Sequence, residues 1–125
     1  MSQSYVRIQA LVIIMLIIVS SPVSAANVRL GNKALDKNSG AHNVAMGDYA
    51  LFRNTTGRYN IASGYQSLYS NTSGTGNVAS GFRSLFRNTT GRYNVASGYQ
   101  SLYSNTTGIG NVASGYRSLF RNTTG

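Results

Sequence analysis

Apolar, small and polar positions recur along this chain with a 17-residue period. The positions in step are glycines at Gly47, Gly64, Gly81, Gly98 and Gly115, leucines at Leu51, Leu68, Leu85, Leu102 and Leu119, and asparagines at Asn43, Asn60, Asn77, Asn94, Asn111 and at Asn54, Asn71, Asn88, Asn105, Asn122. Such a short period is typical of a solenoid, in which each coil packs on the next because no single unit can bury an apolar surface alone.

The repeated unit is N-(V/I)-A-S-G-x-x-S-L-x-x-N-T-T-G-x-x, and a looser copy, one residue short in its turn, occupies residues 27–40. The copies predict one repeat domain over residues 27–125, with six coils around Gly31, Gly47, Gly64, Gly81, Gly98 and Gly115. Y-N-V-A-S alternates and is β-branched at its centre, which predicts a short strand, and N-T-T-G predicts a turn. The expected fold is mainly β, a parallel β-solenoid or β-roll about 29 Å long.

The second side of each coil has two interpretations. Tyr65, Leu68 and Tyr69 fall at positions i, i+3 and i+4, which favours about two turns of helix with all three side chains on one face. A short strand is the alternative, and it would place the leucine on the opposite side from both aromatic residues. The sequence therefore predicts one strand ladder and leaves a short strand and a short helical turn open for the second side.

A second, 34-residue period lies over the first. Coils carrying Y-Q-S-L-Y-S-N-T alternate with coils carrying R-S-L-F-R-N-T-T-G or A-L-F-R-N-T-T-G. The simplest account is the duplication of a two-coil unit.

The segments N-V-A-M-G, from Asn43 to Gly47, and N-V-A-S-G, at Asn77, Asn94 and Asn111, resemble the head repeats of trimeric autotransporter adhesins, also called YadA-like or haemagglutinin-type repeats. The resemblance extends over nearly all of residues 27–125, in a 17-residue variant that looks like repeats of bacterial surface and fibre proteins. It implies a left-handed parallel β-roll, often trimeric, exposed at a cell surface and used for attachment.

Residues 1–26 are predicted to be a cleavable signal peptide. Arg7 precedes an apolar run of about ten residues, shorter than the roughly 20 that a membrane span needs, and S-P-V-S-A-A supplies small residues for cleavage after Ala25 or Ala26. We therefore expect an exported protein, secreted or on the outer cell surface. The chain contains no cysteine, so no disulfide stabilises it.

The charge inventory argues against an enzyme. The part that follows residue 26 has ten Lys and Arg residues, two carboxylates (Asp36 and Asp48) and one histidine (His42), for a net charge of +8. Carboxylate pairs, catalytic triads and histidine metal sites need residues that this chain lacks. We expect no catalytic residue, no metal and no cofactor.

The arginines are the strongest candidates for a binding site. The candidate ligand-binding residues are Arg53, Arg58, Arg83, Arg87, Arg92, Arg117 and Arg121. No acidic residue follows Asp48, so these cations should attract an acidic glycan or another anionic surface. The alternative is a solvated basic face that keeps the rod soluble. Specific nucleic-acid binding is not expected, because no recognised module is present and the chain should be exported.

Two further repeated features have competing interpretations. The aromatic columns could form a sugar-stacking platform, but they keep step with leucine, so we expect the rings to stack on one another as the core. Each Asn-Thr-Thr also fits the glycosylation acceptor sequence, although its role as a turn explains it as well.

The predicted function is multivalent attachment by an adhesin-head-like repeat protein, each coil offering one weak site. The alternative is a structural spacer or a self-assembling fibre module without a specific ligand, since the end coils of a solenoid expose strand edges and apolar surface. A homotrimer and an end-to-end assembly are the two oligomeric states that these interpretations predict.

Overall fold

A parallel β-solenoid forms the part of the chain that the computed structural model describes, residues 26–125. Each coil, numbered 1 to 6, carries one strand: β1 (Val28–Leu30), β2 (Val44–Met46), β3 (Ile61–Ser63), β4 (Val78–Ser80), β5 (Val95–Ser97) and β6 (Val112–Ser114). The sheet order is β1-β2-β3-β4-β5-β6, with every neighbouring pair parallel. This confirms the predicted fold class. The predicted signal peptide, apart from its last residue, lies outside the described residues.

The register of the sheet follows the sequence repeat. Ile61 pairs with Val78, and Val78 with Val95, so the same position of successive copies lies side by side. Val28 pairs with Val44, which is one residue nearer in the sequence, as expected for a first copy that is one residue short.

The short first copy loses its residue in the turn. Asn38 accepts a hydrogen bond from the side chain of Asn54, its counterpart in coil 2, and Gly40 lies against Gly57. The segment from asparagine to glycine is therefore one residue shorter in coil 1 than in coil 2, and the strands on either side of it keep their register.

The glycine after each strand has a backbone conformation that other residues cannot adopt without strain. Gly81 has φ +125°, and a Cβ built on it would lie 2.7 Å from the carbonyl oxygen of Gly98 in the next coil. L-residues rarely adopt this backbone conformation. The glycine column therefore both turns the chain out of the strand and lets neighbouring coils approach at this corner.

The second side of each coil consists of consecutive hydrogen-bonded turns, and residues 26–125 contain no helix. In coil 3, Ser67 donates its backbone N–H to the carbonyl of Gly64 (3.2 Å), and Asn71 does the same to Leu68 (3.2 Å). Gln66 and Leu68 have φ of 54° and 50°, which no α-helix contains. Backbone groups freed in this way bond to neighbouring coils: Leu68 donates to the carbonyl of Ser84 at 3.0 Å.

This geometry decides between the two interpretations of Tyr65, Leu68 and Tyr69. Leu68 is fully buried, whereas Tyr65 is exposed and Tyr69 is half-buried at the surface. The leucine is thus separated from both aromatic rings, as the strand alternative required, although turns and not a strand produce the separation. The helical spacing was misleading because turns with positive φ at Gln66 and Leu68 replace the helix that would have placed all three side chains on one face.

The core consists of small and aliphatic side chains in columns. The buried apolar residues are the strand alanines Ala45, Ala62, Ala79, Ala96 and Ala113, the leucines Leu35, Leu51, Leu68, Leu85 and Leu102, and Ala34 and Ala50. Ser67, Ser84 and Ser101 continue the column of Ala50 and are fully buried. The expectation that the aromatic rings form the core is wrong, because alanine, leucine and asparagine already fill the narrow interior between strand and turns.

Two buried columns of asparagine complete the interior. Beside the strands, Asn77 donates its Nδ2 to Asn60 Oδ1 (3.1 Å), and beside the turns Asn88 donates to Asn71 Oδ1 (2.8 Å). Both Asn77 and Asn88 also donate to the carbonyl of Gly91, at 2.8 and 3.2 Å. In residues 26–125 no buried side-chain nitrogen or oxygen lacks a partner. Two amide ladders thus stabilise a narrow rod that has no disulfide.

Candidate binding surface

Two ladders of stacked aromatic rings run along the outside of the turn side. The first ladder is Tyr65, Phe82, Tyr99 and Tyr116, and the second is Phe52, Tyr69, Phe86, Tyr103 and Phe120. Successive ring centroids lie between 5.0 and 5.5 Å apart, with interplanar angles between 8° and 24°. We call these ladders, together with the columns between and beside them, the aromatic face. The prediction that the rings stack on one another is confirmed, at the surface.

The stacking decides which part of each ring solvent meets. A ring between two neighbours has both of its faces covered, so its edge and any hydroxyl point outward. Tyr99, which stacks between Phe82 and Tyr116, is 44% exposed in this way. A sugar that packs against an aromatic ring needs a free ring face. Within the ladders the rings therefore present hydroxyls and edges, which does not suit a sugar-stacking platform.

A polar column lies between the two ladders. It consists of Tyr49, Gln66, Arg83, Gln100 and Arg117, one residue after each member of the first ladder's column. The Arg83 guanidinium carbon is 5.1 Å from the Phe82 ring centroid and 5.4 Å from that of Phe86, so the side chain touches both ladders. Its Nε donates a hydrogen bond to Gln66 Oε1 at 2.7 Å. Contacts on both sides and a hydrogen bond thus hold this guanidinium in place.

Arg117 occupies the equivalent position in coil 6. Its guanidinium carbon lies 4.0 Å from the Phe120 ring centroid, a close cation–π contact. Both arginines of the middle column are therefore held on rings of the second ladder.

A third column borders the second ladder on its other side. It contains Arg53, Ser70, Arg87, Ser104 and Arg121, each directly after a ring of that ladder. The Arg87 guanidinium carbon lies 5.7 Å from the Tyr103 ring centroid. In coil 4 the chain therefore brings two guanidinium groups to the second ladder, Arg83 on one side of it and Arg87 on the other. Coil 6 carries Arg117 and Arg121 in the same two columns, and Arg117 contacts Phe120 of the ladder.

The chemistry of the aromatic face alternates from coil to coil. Coil 4 offers Phe82, Arg83, Phe86 and Arg87, which are two phenylalanines and two cations. Coils 3 and 5 offer no charge on this face, only tyrosine, glutamine and serine: Tyr65, Gln66, Tyr69, Ser70, Tyr99, Gln100, Tyr103 and Ser104. Over coils 3 to 6 the 34-residue period of the sequence thus appears on the surface as cationic coils 4 and 6 alternating with neutral coils 3 and 5, whereas coil 2 has Asp48 and Arg53 in these columns.

Arg58 and Arg92 do not belong to the aromatic face. They follow the Asn-Thr-Thr-Gly turn, and the carbonyl of Arg58 accepts a hydrogen bond from the backbone of Gly76 at 3.0 Å. The seven arginines singled out from the sequence therefore form two sets. Arg53, Arg83, Arg87, Arg117 and Arg121 lie on the aromatic face, and Arg58 and Arg92 lie beyond the turn, on the approach to strands β3 and β5.

The carboxylates lie near one end of the solenoid. Asp36 and Asp48 belong to the first two coils, and Asp48 Oδ1 accepts a hydrogen bond from the backbone N–H of Asn32 at 2.7 Å. Coils 3 to 6 contain no acidic residue. The arginines of these coils have no counter-charge within their own part of the repeat, which leaves their positive potential uncompensated.

Four of the five glycosylation acceptor asparagines are buried in the folded chain, and the fifth, Asn122, is half-buried. Asn54, Asn71, Asn88 and Asn105 are fully buried, and their amide nitrogens donate to the preceding asparagine of the ladder. The Asn-Thr-Thr turns therefore serve the structure. Thr72 and Thr89 support this role, because each hydroxyl donates to the threonine carbonyl of the next turn, at 3.0 and 3.1 Å.

No protein-family model matches the chain, and no match was found among curated proteins or among solved structures. No helix long and apolar enough to cross a membrane occurs in residues 26–125. No pocket opens into the same residues. A function for this chain therefore has to be argued from the geometry and charge of the aromatic face.

Proposed function

We propose that this chain is a non-enzymatic, exported repeat protein that attaches to an acidic glycan or another anionic surface through its aromatic face. The observation that carries the proposal is the placement of Arg53, Arg83, Arg87, Arg117 and Arg121 on one face, four of them in coils without a carboxylate. Guanidinium groups bind carboxylate, sulfate and phosphate through several donors at once.

Repetition gives such a surface its strength. A single exposed ion pair contributes about 0–1 kcal/mol, which is too little for attachment. Arginines repeated along one rigid rod engage one polymer at several points, and the later contacts form at high effective concentration. The resemblance of N-V-A-S-G to adhesin head repeats and the signal-peptide pattern of residues 1–26 support the same role at a cell surface.

Binding to immobilised acidic and neutral polysaccharides at rising sodium chloride concentration tests the proposal. Surface charges are screened over about 10 Å at 0.1 M salt and about 3 Å at 1 M. We expect the protein to be retained by the acidic polysaccharide at low salt, released as salt rises, and not retained by the neutral one. Absent binding, or binding that salt does not change, would remove the attachment function.

A second candidate is a structural spacer or a self-assembling module, and the repeat geometry favours it. Nearly the same backbone groups form the hydrogen bonds between neighbouring coils along the solenoid. For example, the backbone N–H of Leu68 donates to the carbonyl of Ser84, and that of Leu85 to the carbonyl of Ser101, both at 3.0 Å. A second copy can use them in a head-to-tail interface, which grows without closing. Light scattering distinguishes the outcomes: growth with concentration supports assembly, and a fixed trimer supports an adhesin-head arrangement.

A further inference from the structure

The alternation of cationic and neutral coils on the aromatic face indicates how charges are arranged along the ligand, in addition to indicating that the ligand is anionic. Polar residues of both kinds of coil occupy the same columns, so Gln66, Arg83, Gln100 and Arg117 follow one another along the axis. Arg87 lies between Ser70 and Ser104 in the same way. A ligand that runs along this face meets a cationic coil and a neutral coil in turn.

The axial spacing fits a polymer with one residue per coil. Parallel strands in a sheet are about 4.8 Å apart, so the cationic coils 4 and 6 are about 9.6 Å apart. A hexopyranose residue in an extended chain advances by a length comparable to one coil. A linear polysaccharide parallel to the axis would therefore place successive sugars on successive coils, and every second sugar on a pair of arginines.

Each kind of coil suits a different sugar. The cationic coil 4 has Arg83 and Arg87 on the two sides of the second ladder, with Arg83 already held by Gln66 and two phenylalanine rings. Among residues 26–125 Arg83 makes no side-chain hydrogen bond other than that from its Nε, so its terminal nitrogens remain donors for a carboxylate. The neutral coils offer tyrosine and serine hydroxyls and a glutamine amide, which suit the hydroxyl and amide groups of an uncharged sugar.

We propose that the aromatic face binds a linear polysaccharide in which acidic and neutral sugars alternate, laid along the solenoid axis with one sugar on each coil. The inference rests on the attachment function proposed above and adds the order of charges to it. A polyuronate, which has a carboxylate on every sugar, would place half of its charges on coils 3 and 5, which have no cation on this face. A single-stranded nucleic acid likewise has a charge on every residue and lacks the alternation.

Two polysaccharides of matched length test the order of charges. Hyaluronan alternates glucuronate with a neutral N-acetylated sugar, and polygalacturonate carries a carboxylate on every residue. At equal ionic strength we expect hyaluronan to bind about tenfold more tightly per chain, a difference of about 1.4 kcal/mol, although it carries half the charge. A general preference for charge density would give the reverse order.

The outcomes separate the inference from the function on which it rests. If polygalacturonate binds as tightly as hyaluronan or more tightly, and both are released by salt, the attachment function stands and the charge order is wrong. If neither polymer binds in a salt-dependent way, both proposals fail. If a single-stranded oligonucleotide displaces hyaluronan at equal concentration, the ligand is a polymer charged on every residue, and the inference is overturned.

A pair of variants tests the charge order on the protein itself, although the first also removes the Gln66 Oε1 acceptor of Arg83. The double variant Gln66→Arg with Gln100→Arg makes every coil from 3 to 6 cationic, using a residue that the same column already carries at the same φ, 54° at Gln66 and 52° at Arg83. We expect it to lose the preference for hyaluronan and bind polygalacturonate more tightly. The control is the double variant Arg58→Thr with Arg92→Thr, which removes two charges beyond the turn. Threonine is chosen because Thr75 already occupies the same column. This control should keep the preference for hyaluronan over polygalacturonate. An unchanged preference in the first variant would contradict the inference.

Discussion

The ring of Tyr93 lies against Gly76, its counterpart one coil earlier, so closely that a Cβ on Gly76 would be 2.8 Å from a ring carbon of Tyr93. The same column alternates along the solenoid as Tyr59, Gly76, Tyr93 and Gly110. Tyr93 thus covers Gly76 in the coil before it, whereas Tyr59 stacks on the ring of His42, with 5.2 Å between the ring centroids. This contact gives the 34-residue period a packing reason outside the aromatic face.

Replacing Gly76 by alanine should destabilise the solenoid more than the same change at Gly110. Both glycines have positive φ, +69° and +71°, so the backbone strain is matched at about 1–2 kcal/mol. Only Gly76 has a ring in the way, whereas a Cβ on Gly110 would meet nothing within 4 Å. Because Tyr93 is 63% exposed, its ring can turn toward solvent at a modest cost, and urea unfolding should show a total loss of about 2–3 kcal/mol for Gly76→Ala and about 1–2 kcal/mol for Gly110→Ala. Equal losses would contradict the ring contact.

The leucine column should be sensitive to truncation where it is enclosed. Leu85→Ala removes a fully buried side chain between coils and should lower the free energy of unfolding by about 2–5 kcal/mol. Leu119 holds the equivalent position in coil 6 but is 47% exposed, so Leu119→Ala should lose about 1 kcal/mol. Thermal or urea unfolding followed by circular dichroism measures both. The prediction fails if the two variants unfold together.

The asparagine ladder should depend on each of its internal members. Asn88→Ala removes the bond from Asn88 to Asn71 (2.8 Å) and the bond from Asn105 to Asn88 (2.8 Å), which leaves Asn71 Oδ1 without a donor and one N–H of the Asn105 amide without an acceptor. Each such group costs about 1–3 kcal/mol, so a loss of about 2–5 kcal/mol is expected. Asn122→Ala is the control, because Asn122 is half-buried and donates only to Asn105 (3.0 Å) and Gly125 (3.3 Å). We expect this control to lose about 1 kcal/mol in the same urea titration; a loss as large as that of Asn88→Ala would show that burial of the ladder is not what stabilises it.

The two sets of arginines should differ in binding. The double variants Arg87→Ser with Arg121→Ser and Arg58→Thr with Arg92→Thr each remove two positive charges, and each new residue already occurs in the same column, as Ser104 and Thr75. Loss of two contacts on the aromatic face should weaken binding to an acidic polysaccharide by about tenfold. The variant beyond the turn should change it by less than about twofold. Retention at matched salt or titration calorimetry measures the affinity of both double variants. Equal weakening in the two would mean that net charge alone directs binding.

The sequence was sufficient to predict the solenoid because its period fixes which residues stack. Val78 had to pair with Val95 once like positions were placed over like, and the structure shows this pairing. The sequence also located the short first turn, since only one residue separates Asn38 from Gly40 where two separate Asn54 from Gly57.

The second side of the coil could not be predicted in the same way. Its course depends on positive φ at Gln66 and Leu68, which are not glycines and carry no local signal for that conformation. Contacts with the neighbouring coils impose it, through bonds such as Gln66 to the carbonyl of Asp48 at 3.0 Å. The aromatic face could not be predicted for the same reason, because Tyr65 and Tyr69 point outward only as a result of those turns. Since leucine and the aromatic residues recur with the same 17-residue period, the sequence predicted that both belong to the core.

Cross-linking of paired cysteines tests the stacking of the coils most directly, since the chain has no cysteine of its own. Ser80 and Ser97 are partners in neighbouring strands β4 and β5, about 4.8 Å apart, and Ser114 is one strand further, about 9.6 Å from Ser80. A disulfide needs Cα atoms within about 7 Å. The account predicts that Ser80→Cys with Ser97→Cys oxidises to an intramolecular disulfide in the folded protein, and that Ser80→Cys with Ser114→Cys does not. Equal oxidation of the two pairs, or none in the first, would contradict coils stacked in a 17-residue register.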